Sequence, residues 1–158
     1  MILLILMDYH QILPKLFIGS YPENADEITR LKREAGVTAV LNLQTDDDMR
    51  YFKVDWNSLL DYYETCGIEL RRFPVREFDA VDLQHKLPAC VSALNDLLQS
   101  GHTVYLHCSA GAGRSPTVAI ACLFWNYGWD LGEAVAHVVQ CRPCSPNVEA
   151  IRLANAAR

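Results

Sequence analysis

Residues 103–127 read TVYLHCSAGAGRSPTVAIACLFWNY and carry the strongest structural signal in the chain. The apolar run from Thr103 to Leu106 is short and bounded by polar residues, which predicts a buried strand. From Ser115 to Tyr127 the apolar positions have helical spacing, which predicts a helix. A glycine-containing loop that begins at His107 connects the two. The stretch therefore predicts a strand, a tight turn and a helix N-terminus, as is typical of α/β proteins.

The predicted loop has the features of a phosphate site. Gly111 and Gly113 allow positive φ angles and leave room for a ligand, while the helix N-terminus contributes partial positive charge. Such a field also favours the thiolate of a cysteine, so Cys108 is the predicted nucleophile. Backbone amides of residues 109–114 are expected to converge on the anion. The loop residues predicted to bind or order the substrate are His107, Ser109, Ala110, Gly111, Ala112 and Gly113.

Arg114 stands at the far end of this loop from the cysteine. Its planar guanidinium can bind two phosphoryl oxygens at once and continue to do so as charge spreads in the transition state. The hydroxyl of Ser115 can hydrogen-bond the thiolate or ease its departure. His107 is predicted to order the loop and not to act as a base. An incidental buried cysteine in a glycine-rich turn is the alternative interpretation.

Short apolar runs and helical stretches alternate along the rest of the chain, which predicts a mostly parallel central sheet flanked by helices. The phosphate loop is then expected at the carboxyl ends of the strands. The predicted strands are residues 16–18, 37–43, 69–73 and 103–106. The first three predicted helices are residues 25–35, 56–66 and 83–100, which end before Gly36, Gly67 and Gly101, and Asn24 is the predicted cap of the first. Three further helices are predicted to begin after Ser115, at about Leu131 and at about Pro146.

Length and composition predict one domain over residues 1–158. A chain of 158 residues with 51% hydrophobic residues can bury one sizeable core. Its net charge of -5 argues against nucleic acid as a partner. The apolar opening Met1 to Met7 is too short to span a bilayer and has no signal-peptide features, so we expect a soluble, cytoplasmic protein without a membrane partner. The oligomeric state cannot be predicted.

Six cysteines are present, and without a secretory signal they are expected to remain thiols. Cys66, Cys90 and Cys122 are predicted on apolar helix faces. The pair Cys141 and Cys144 has the spacing of half a zinc site, but no second pair completes it. We therefore predict neither a metal nor another cofactor.

The motif His107-Cys108-x5-Arg114-Ser115 resembles the signature of cysteine-dependent protein tyrosine and dual-specificity phosphatases. The resemblance implies hydrolysis of phosphomonoesters through a phosphocysteine intermediate. It also implies a general acid on a loop that precedes the cysteine. By spacing Glu77 occupies the aspartate position of the family, and Asp79 is the alternative donor, while Asp82 is predicted to cap the following helix.

Similarity to a narrower group runs over nearly the whole chain. Several segments resemble the catalytic domain of plant starch-phosphate (glucan) phosphatases, and Gly101 to Tyr105 is similar to the animal glucan phosphatase laforin. The segments are KLFIGSYP (15–22), LNLQTD (41–46), YFKVD (51–55), FDA (78–80), RPC (142–144) and AIR (150–152). The resemblance implies a phosphoglucan substrate. The alternatives are a phosphoprotein phosphatase and a module that binds phosphate or glucan without turnover.

Aromatic side chains near the predicted site agree with a sugar substrate, since flat rings stack on sugar faces. Phe52, Phe78 and Trp125 are predicted to line a substrate channel, and Tyr51 and Trp56 are further candidates. Packing in the core is the alternative role for each ring. Ala110 and Ala112 are neutral where inositol-lipid phosphatases of the same superfamily carry basic residues, which makes a highly charged inositol phosphate a poorer candidate.

Overall fold

The computed structural model describes residues 6–158, within which the chain forms five strands and seven helices around one sheet. The strands are β1 (Tyr9–Leu13), β2 (Leu16–Gly19), β3 (Ala39–Asn42), β4 (Glu69–Arg72) and β5 (Val104–His107). The helices are α1 (Ala25–Ala35), α2 (Asp46–Tyr51), α3 (Trp56–Cys66), α4 (Ala80–Gln99), α5 (Arg114–Asn126), α6 (Leu131–Cys141) and α7 (Val148–Ala156). Part of the apolar opening, residues 1–5, lies outside the described residues.

The strand order is β1-β2-β5-β3-β4, with β1 antiparallel to β2 and the other pairs parallel. This confirms the predicted α/β class and mostly parallel sheet. β5 lies in the centre, so the loop that follows it emerges between the carboxyl ends of β2 and β3. That position is where parallel sheets usually bind ligands.

Alternate residues of the central strands face two different cores. Leu41 and Leu106 pack into the larger core with α4, α5, α6 and α7. Their neighbours Val40 and Tyr105 point to the opposite face, where α1 and α3 cover a smaller core. Both faces of the sheet are therefore buried, as the apolar strands predict.

The structure contains two elements that the sequence pattern does not predict, β1 and α2. β1 is an edge strand with two exposed residues among its five, and its pairing with β2 is irregular between Gln11 and Leu13. α2 has only six residues, three of them aspartates, so it has no apolar periodicity. A capping box between Thr45 and Asp48 defines its start.

The start of α4 corrects the prediction for Asp82. The helix begins at Ala80 and not at Leu83, and its N-cap is Asp79, whose carboxylate accepts a hydrogen bond from the amide of Asp82 at 2.9 Å. Asp82 lies inside the first turn and accepts instead from the Arg76 amide and from Lys86. The cap therefore lies three residues earlier than predicted.

All six cysteines are free thiols in the structure. Cys90 and Cys122 are buried in the larger core, as predicted. Cys66, at the end of α3, is only half-buried and packs against the smaller core.

Candidate active site

The predicted phosphate loop occupies residues 108–113, between the end of β5 at His107 and the start of α5 at Arg114. Cys108 and Arg114 are only 1% and 2% exposed, so the two groups lie at the base of the site. Every residue of α5 from Arg114 to Leu123 is buried. The helix that follows the loop is thus held firmly by the core.

The carbonyl groups of the loop point outward. Four consecutive carbonyls each accept a hydrogen bond from outside the loop. The pairs are Tyr21 N to Ser109 O (2.9 Å), Arg142 Nη2 to Ala110 O (2.8 Å), Arg142 Nε to Gly111 O (2.8 Å) and Ser145 N to Ala112 O (2.7 Å). In a trans peptide the next N–H points the opposite way, so the amides of residues 110–113 face the centre of the loop. The loop therefore has the amide arrangement that an anion requires.

The two loop glycines differ in role. Gly111 has φ +70°, and a Cβ on it would collide with the backbone of Gly19 in β2. Gly113 has φ -122° and no atom within 4 Å of a would-be Cβ. The predicted positive φ is confirmed for Gly111 and is wrong for Gly113. Gly113 is the N-cap residue of α5, where no side chain caps the helix.

Arg142 has a role that the sequence pattern does not predict. It is 3% exposed and lies just after α6. Besides the two loop carbonyls it pairs with Asp8 Oδ2 at 3.1 Å and lies 3.0 Å from His10 Nδ1. It thereby ties the phosphate loop to β1 and the segment before it. A buried arginine that donates to loop carbonyls depends on tertiary contacts, which spacing in the sequence does not reveal.

The guanidinium of Arg114 is held by four acceptors. Nη1 donates to Asp48 Oδ2 at 2.6 Å and to the Val75 carbonyl at 2.7 Å. Nη2 donates to Glu77 Oε2 at 2.5 Å and to Ser109 Oγ at 3.3 Å. Nε is buried and has no partner among the described residues. The Nε and Nη2 edge therefore lies beside the loop, where a phosphoryl group would bind.

Asp48 is a second residue whose role in the site the sequence pattern does not predict. Burial would raise the pKa of its carboxyl, but hydrogen bonds from Arg114 and from the Thr45 amide outweigh it and hold the pKa below its usual range. Burial would likewise lower the pKa of Arg114, yet interactions with Cys108, Asp48 and Glu77 raise it. The pair stays charged near neutral pH. The Thr45-x-x-Asp48 capping box was the available signal.

The two candidate acids occupy different places. Glu77 contacts Arg114 and lines the cleft above the loop. Asp79 caps α4 and lies 3.7 Å from the exposed Arg76 guanidinium. Between them Phe78 has φ +54°, a left-handed conformation that is rare for a bulky residue and often marks functional loops. The structure brings Glu77 and not Asp79 to the arginine.

Ser115 and His107 flank the catalytic pair. The Ser115 hydroxyl is fully buried and has no hydrogen-bond partner among the described residues. His107 Nδ1 lies 2.9 Å from the Cys108 carbonyl. Burial lowers the pKa of His107 to about 4, so the ring is neutral at physiological pH and its Nδ1 proton can donate to that carbonyl. This contact agrees with the predicted ordering role.

The lowered pKa of His107 predicts that the stability of the protein depends on pH. Because its folded pKa lies below the ordinary value of 6.5, the unfolded chain binds more protons between pH 6.5 and 4. The free energy of unfolding should be highest above this window and fall within it by on the order of 3 kcal/mol. Chemical denaturation across the window measures the loss. His107→Asn should flatten the slope, whereas His85→Asn, at an exposed site on α4, should keep it. An unchanged slope in His107→Asn contradicts the prediction.

A cleft of about 760 Å³ opens above the loop. Its lining includes Ser109, Ala110 and Glu77 from the phosphate site together with aromatic rings from other segments. Phe78 is fully exposed, and Tyr51 and Phe52 are 80% and 40% exposed. The Phe52 ring lies 5.0 Å from that of Tyr21 and 4.9 Å from that of Tyr51. Rings that face solvent beside a phosphate site are available to stack on a ligand.

Trp125 is not among the described residues that line this cleft. It lies near the end of α5, where its Nε1 donates to Asn155 Oδ1 at 3.1 Å and the Arg158 guanidinium lies 4.5 Å above the ring. The prediction of a substrate contact for Trp125 is therefore corrected, since the ring packs against the C-terminal helix. Trp56 is half-buried beneath the Arg72 guanidinium.

Within residues 6–158 no helix is long and apolar enough to cross a bilayer. The same residues contain no cluster of three or more histidine, cysteine, aspartate or glutamate side chains that could hold a metal ion.

Comparison with solved structures supports the fold. The crystal structure of PTPMT1 superposes with a TM-score of 0.76 at 22% identity, over 94% of this chain and 92% of that one. Tk-PTP in its active form superposes with a TM-score of 0.75 at 24% identity, over 94% of both chains. Identities this low support the fold alone.

Sequence comparison finds closer relatives. Phosphoglucan phosphatase DSP4 of Castanea sativa is 38% identical over 95% of this chain and 40% of its own length. Laforin of Mus musculus is 34% identical over 87% of this chain and 44% of its own length. Phosphoglucan phosphatase LSF1 of Arabidopsis thaliana is 32% identical over 92% of this chain and 24% of its own length. The chain thus spans less than half the length of these relatives.

The family model for the catalytic domain of dual-specificity phosphatases matches residues 16–155, which include the loop, both candidate acids and Arg142. The match covers most of the chain and confirms the resemblance seen in the sequence. The protein therefore belongs to the dual-specificity phosphatase family.

Proposed function

We propose that residues 1–158 form one catalytic domain that removes phosphate from a phosphorylated glucan, through a phosphocysteine intermediate and without a metal or other cofactor. The aromatic cleft that opens directly onto the phosphate loop carries the proposal. Similarity to two plant phosphoglucan phosphatases and to laforin supports it. A module that only binds is disfavoured because nucleophile and arginine lie together at the base of the site.

In the first step Cys108 attacks phosphorus. The thiolate Sγ forms a bond to phosphorus while the bond to the leaving oxygen breaks, and Glu77 gives that oxygen a proton. The amides of residues 110–113 and the Nε and Nη2 groups of Arg114 hold the three remaining oxygens. The glucan hydroxyl leaves and a phosphocysteine remains.

In the second step water attacks the phosphocysteine. The Glu77 carboxylate takes a proton from the water, the P–S bond breaks, and inorganic phosphate is released. The departing thiolate can accept a hydrogen bond from Ser115, whose buried hydroxyl has no other partner among the described residues. Neither step requires an electron acceptor or a metal.

Glu77 has to leave Arg114 for this cycle to run. In the structure its carboxylate occupies Nη2, one of the two nitrogens that a bidentate phosphate would use. The arriving phosphate replaces the carboxylate, which takes up a proton from the solvent and then faces the leaving oxygen. Asp79 remains the alternative donor, although its carboxylate is engaged as the α4 cap.

Recognition of the sugar is assigned to the aromatic rings of the cleft. Tyr51 and Phe52 belong to α2 and its C-terminal end, and Phe78 belongs to the loop that bears Glu77. These rings lie beside the site of chemistry and not within it, so they can hold glucose units adjacent to the phosphorylated one. A phosphoprotein substrate is the competing outcome of the tests below.

Replacing cleft aromatics should separate the two substrate classes. Phe52→Ala and Phe78→Ala should lower kcat/KM on phosphorylated amylopectin by roughly tenfold, about 1.4 kcal/mol, because sugar stacking is lost. Their activity on a small aryl phosphate should change little, since the phosphate loop is intact. Phosphate release from both substrates is measured for each variant together with its melting temperature.

Trp125→Ala is the matched control, because that ring packs outside the cleft. It should lower the melting temperature and affect both substrates in parallel or not at all. Parallel losses in the Phe52 and Phe78 variants would instead favour a general dual-specificity phosphatase.

A cytoplasmic location and the absence of nucleic-acid and membrane partners stay predictions from the sequence. The names of two relatives place those proteins in amyloplasts and chloroplasts.

A further inference from the structure

Two acceptors fix the Nη1 end of Arg114. Asp48 Oδ2 lies 2.6 Å and the Val75 carbonyl 2.7 Å from this nitrogen. A guanidinium is planar and rigid, so anchoring one nitrogen from two directions sets the direction of the opposite edge. That edge consists of Nε, which has no partner among the described residues, and Nη2, which donates to Ser109 of the loop and to Glu77. In the proposed reaction this edge would bind the phosphoryl group.

Asp48 is itself held in place. Its Oδ2 also accepts a hydrogen bond from the Thr45 amide at 2.9 Å, and its own amide donates to Thr45 Oγ1 at 3.1 Å. Only 15% of its side chain is exposed. Glu77, by contrast, is 32% exposed, and its carboxylate has Arg114 as its one hydrogen-bond partner among the described residues. The two carboxylates are therefore fixed to different degrees.

We infer that Asp48 is a positioning residue, which keeps the Nη1 end of Arg114 fixed while Glu77 yields Nη2 to the substrate. This inference rests on the proposed hydrolase function. It also gives α2 a second role, the positioning of Arg114, beside its proposed role in sugar recognition. The helix that bears Tyr51 and ends at Phe52 carries the carboxylate that aims the arginine. Substrate recognition and transition-state binding then both depend on α2.

The test uses Asp48→Asn, which keeps an oxygen for the Thr45 amide but removes the charge that faces Arg114. We expect kcat for a simple aryl phosphate to fall about tenfold to a hundredfold, with KM changed by less than about threefold. Sodium tungstate, which mimics the phosphoryl group, should bind about tenfold more weakly to the variant by calorimetry. A purely structural role would leave kcat per folded molecule unchanged.

Thr45→Ala is the matched control. It removes the other half of the capping box and weakens the same helix, but leaves the Asp48 carboxylate free to bind Arg114. Its kcat on the aryl phosphate should stay within about twofold of wild type. Asp48→Glu moves the charge by one methylene and should lose kcat about threefold, which provides the test if Asp48→Asn does not fold.

Wild-type kcat in folded Asp48→Asn or in Asp48→Glu overturns the positioning role. So does an equal loss in Thr45→Ala, because the effect then comes from the helix and not from the ion pair. If the wild-type protein hydrolyses no phosphate ester, the proposed function fails. The tungstate comparison between wild type and Asp48→Asn then still decides whether Asp48 positions the arginine.

Discussion

Cys108→Ser should reduce hydrolysis of any phosphate ester by about a thousandfold or more. A serine hydroxyl is not ionised near neutral pH and cannot replace the thiolate as nucleophile. The side chain keeps its size, so the buried base of the loop should stay packed and tungstate should still bind. Release of nitrophenol from a nitrophenyl phosphate and calorimetric binding of tungstate measure the two properties separately.

Cys66→Ser supplies the control for this variant. It makes the same chemical change at a half-buried thiol at the end of α3, far along the chain from the loop. Its activity should match that of the wild type. Substantial hydrolysis by Cys108→Ser, or equal loss in Cys66→Ser, would contradict a cysteine nucleophile at residue 108.

Glu77→Gln should cost about a hundredfold to ten-thousandfold in kcat on substrates with poor leaving groups. Those leaving oxygens need a proton, whereas nitrophenolate leaves without one and should be affected less. The basic limb of the pH–rate profile should flatten at the same time. The measurement is kcat against pH for an alkyl and a nitrophenyl phosphate.

Asp79→Asn distinguishes the alternative acid. Asparagine caps helices as well as aspartate does, so the variant should keep the start of α4 and retain activity within severalfold of wild type. If Asp79→Asn flattens the profile and Glu77→Gln does not, Asp79 is the donor and the assignment by spacing fails.

Local sequence signals predicted much of the fold. α1 and α3 begin and end where their caps indicate, after Asn24 and Asp55 and before Gly36 and Gly67. The three inner strands β2, β3 and β5 are short apolar runs, as expected where helices cover both faces of the sheet. α2 and β1 escaped detection because neither has an apolar periodicity, and their stability depends on contacts with distant segments.

The residues of the site also fall into those with a local sequence signal and those that depend on contacts between distant segments. Cys108 and Arg114 were predictable because one loop places both, and the size of a phosphate sets their spacing. Asp48 lies 66 residues before Arg114, which it contacts, and Arg142 lies 31 residues after Gly111, whose carbonyl it contacts. Contacts over such separations depend on how the chain folds back. Phe78 lines the cleft as predicted, whereas helical spacing does not reveal that the Trp125 ring faces α7.

The most direct test of the central claim compares phosphate release by the wild-type protein from phosphorylated amylopectin with release from phosphotyrosine and phosphothreonine peptides. Substrates are matched in phosphate concentration, and Cys108→Ser serves as the blank. A protein whose aromatic cleft holds glucan next to the phosphate loop should release phosphate faster from amylopectin than from either peptide. Faster release from a peptide, with amylopectin no better than the blank, would contradict the glucan assignment.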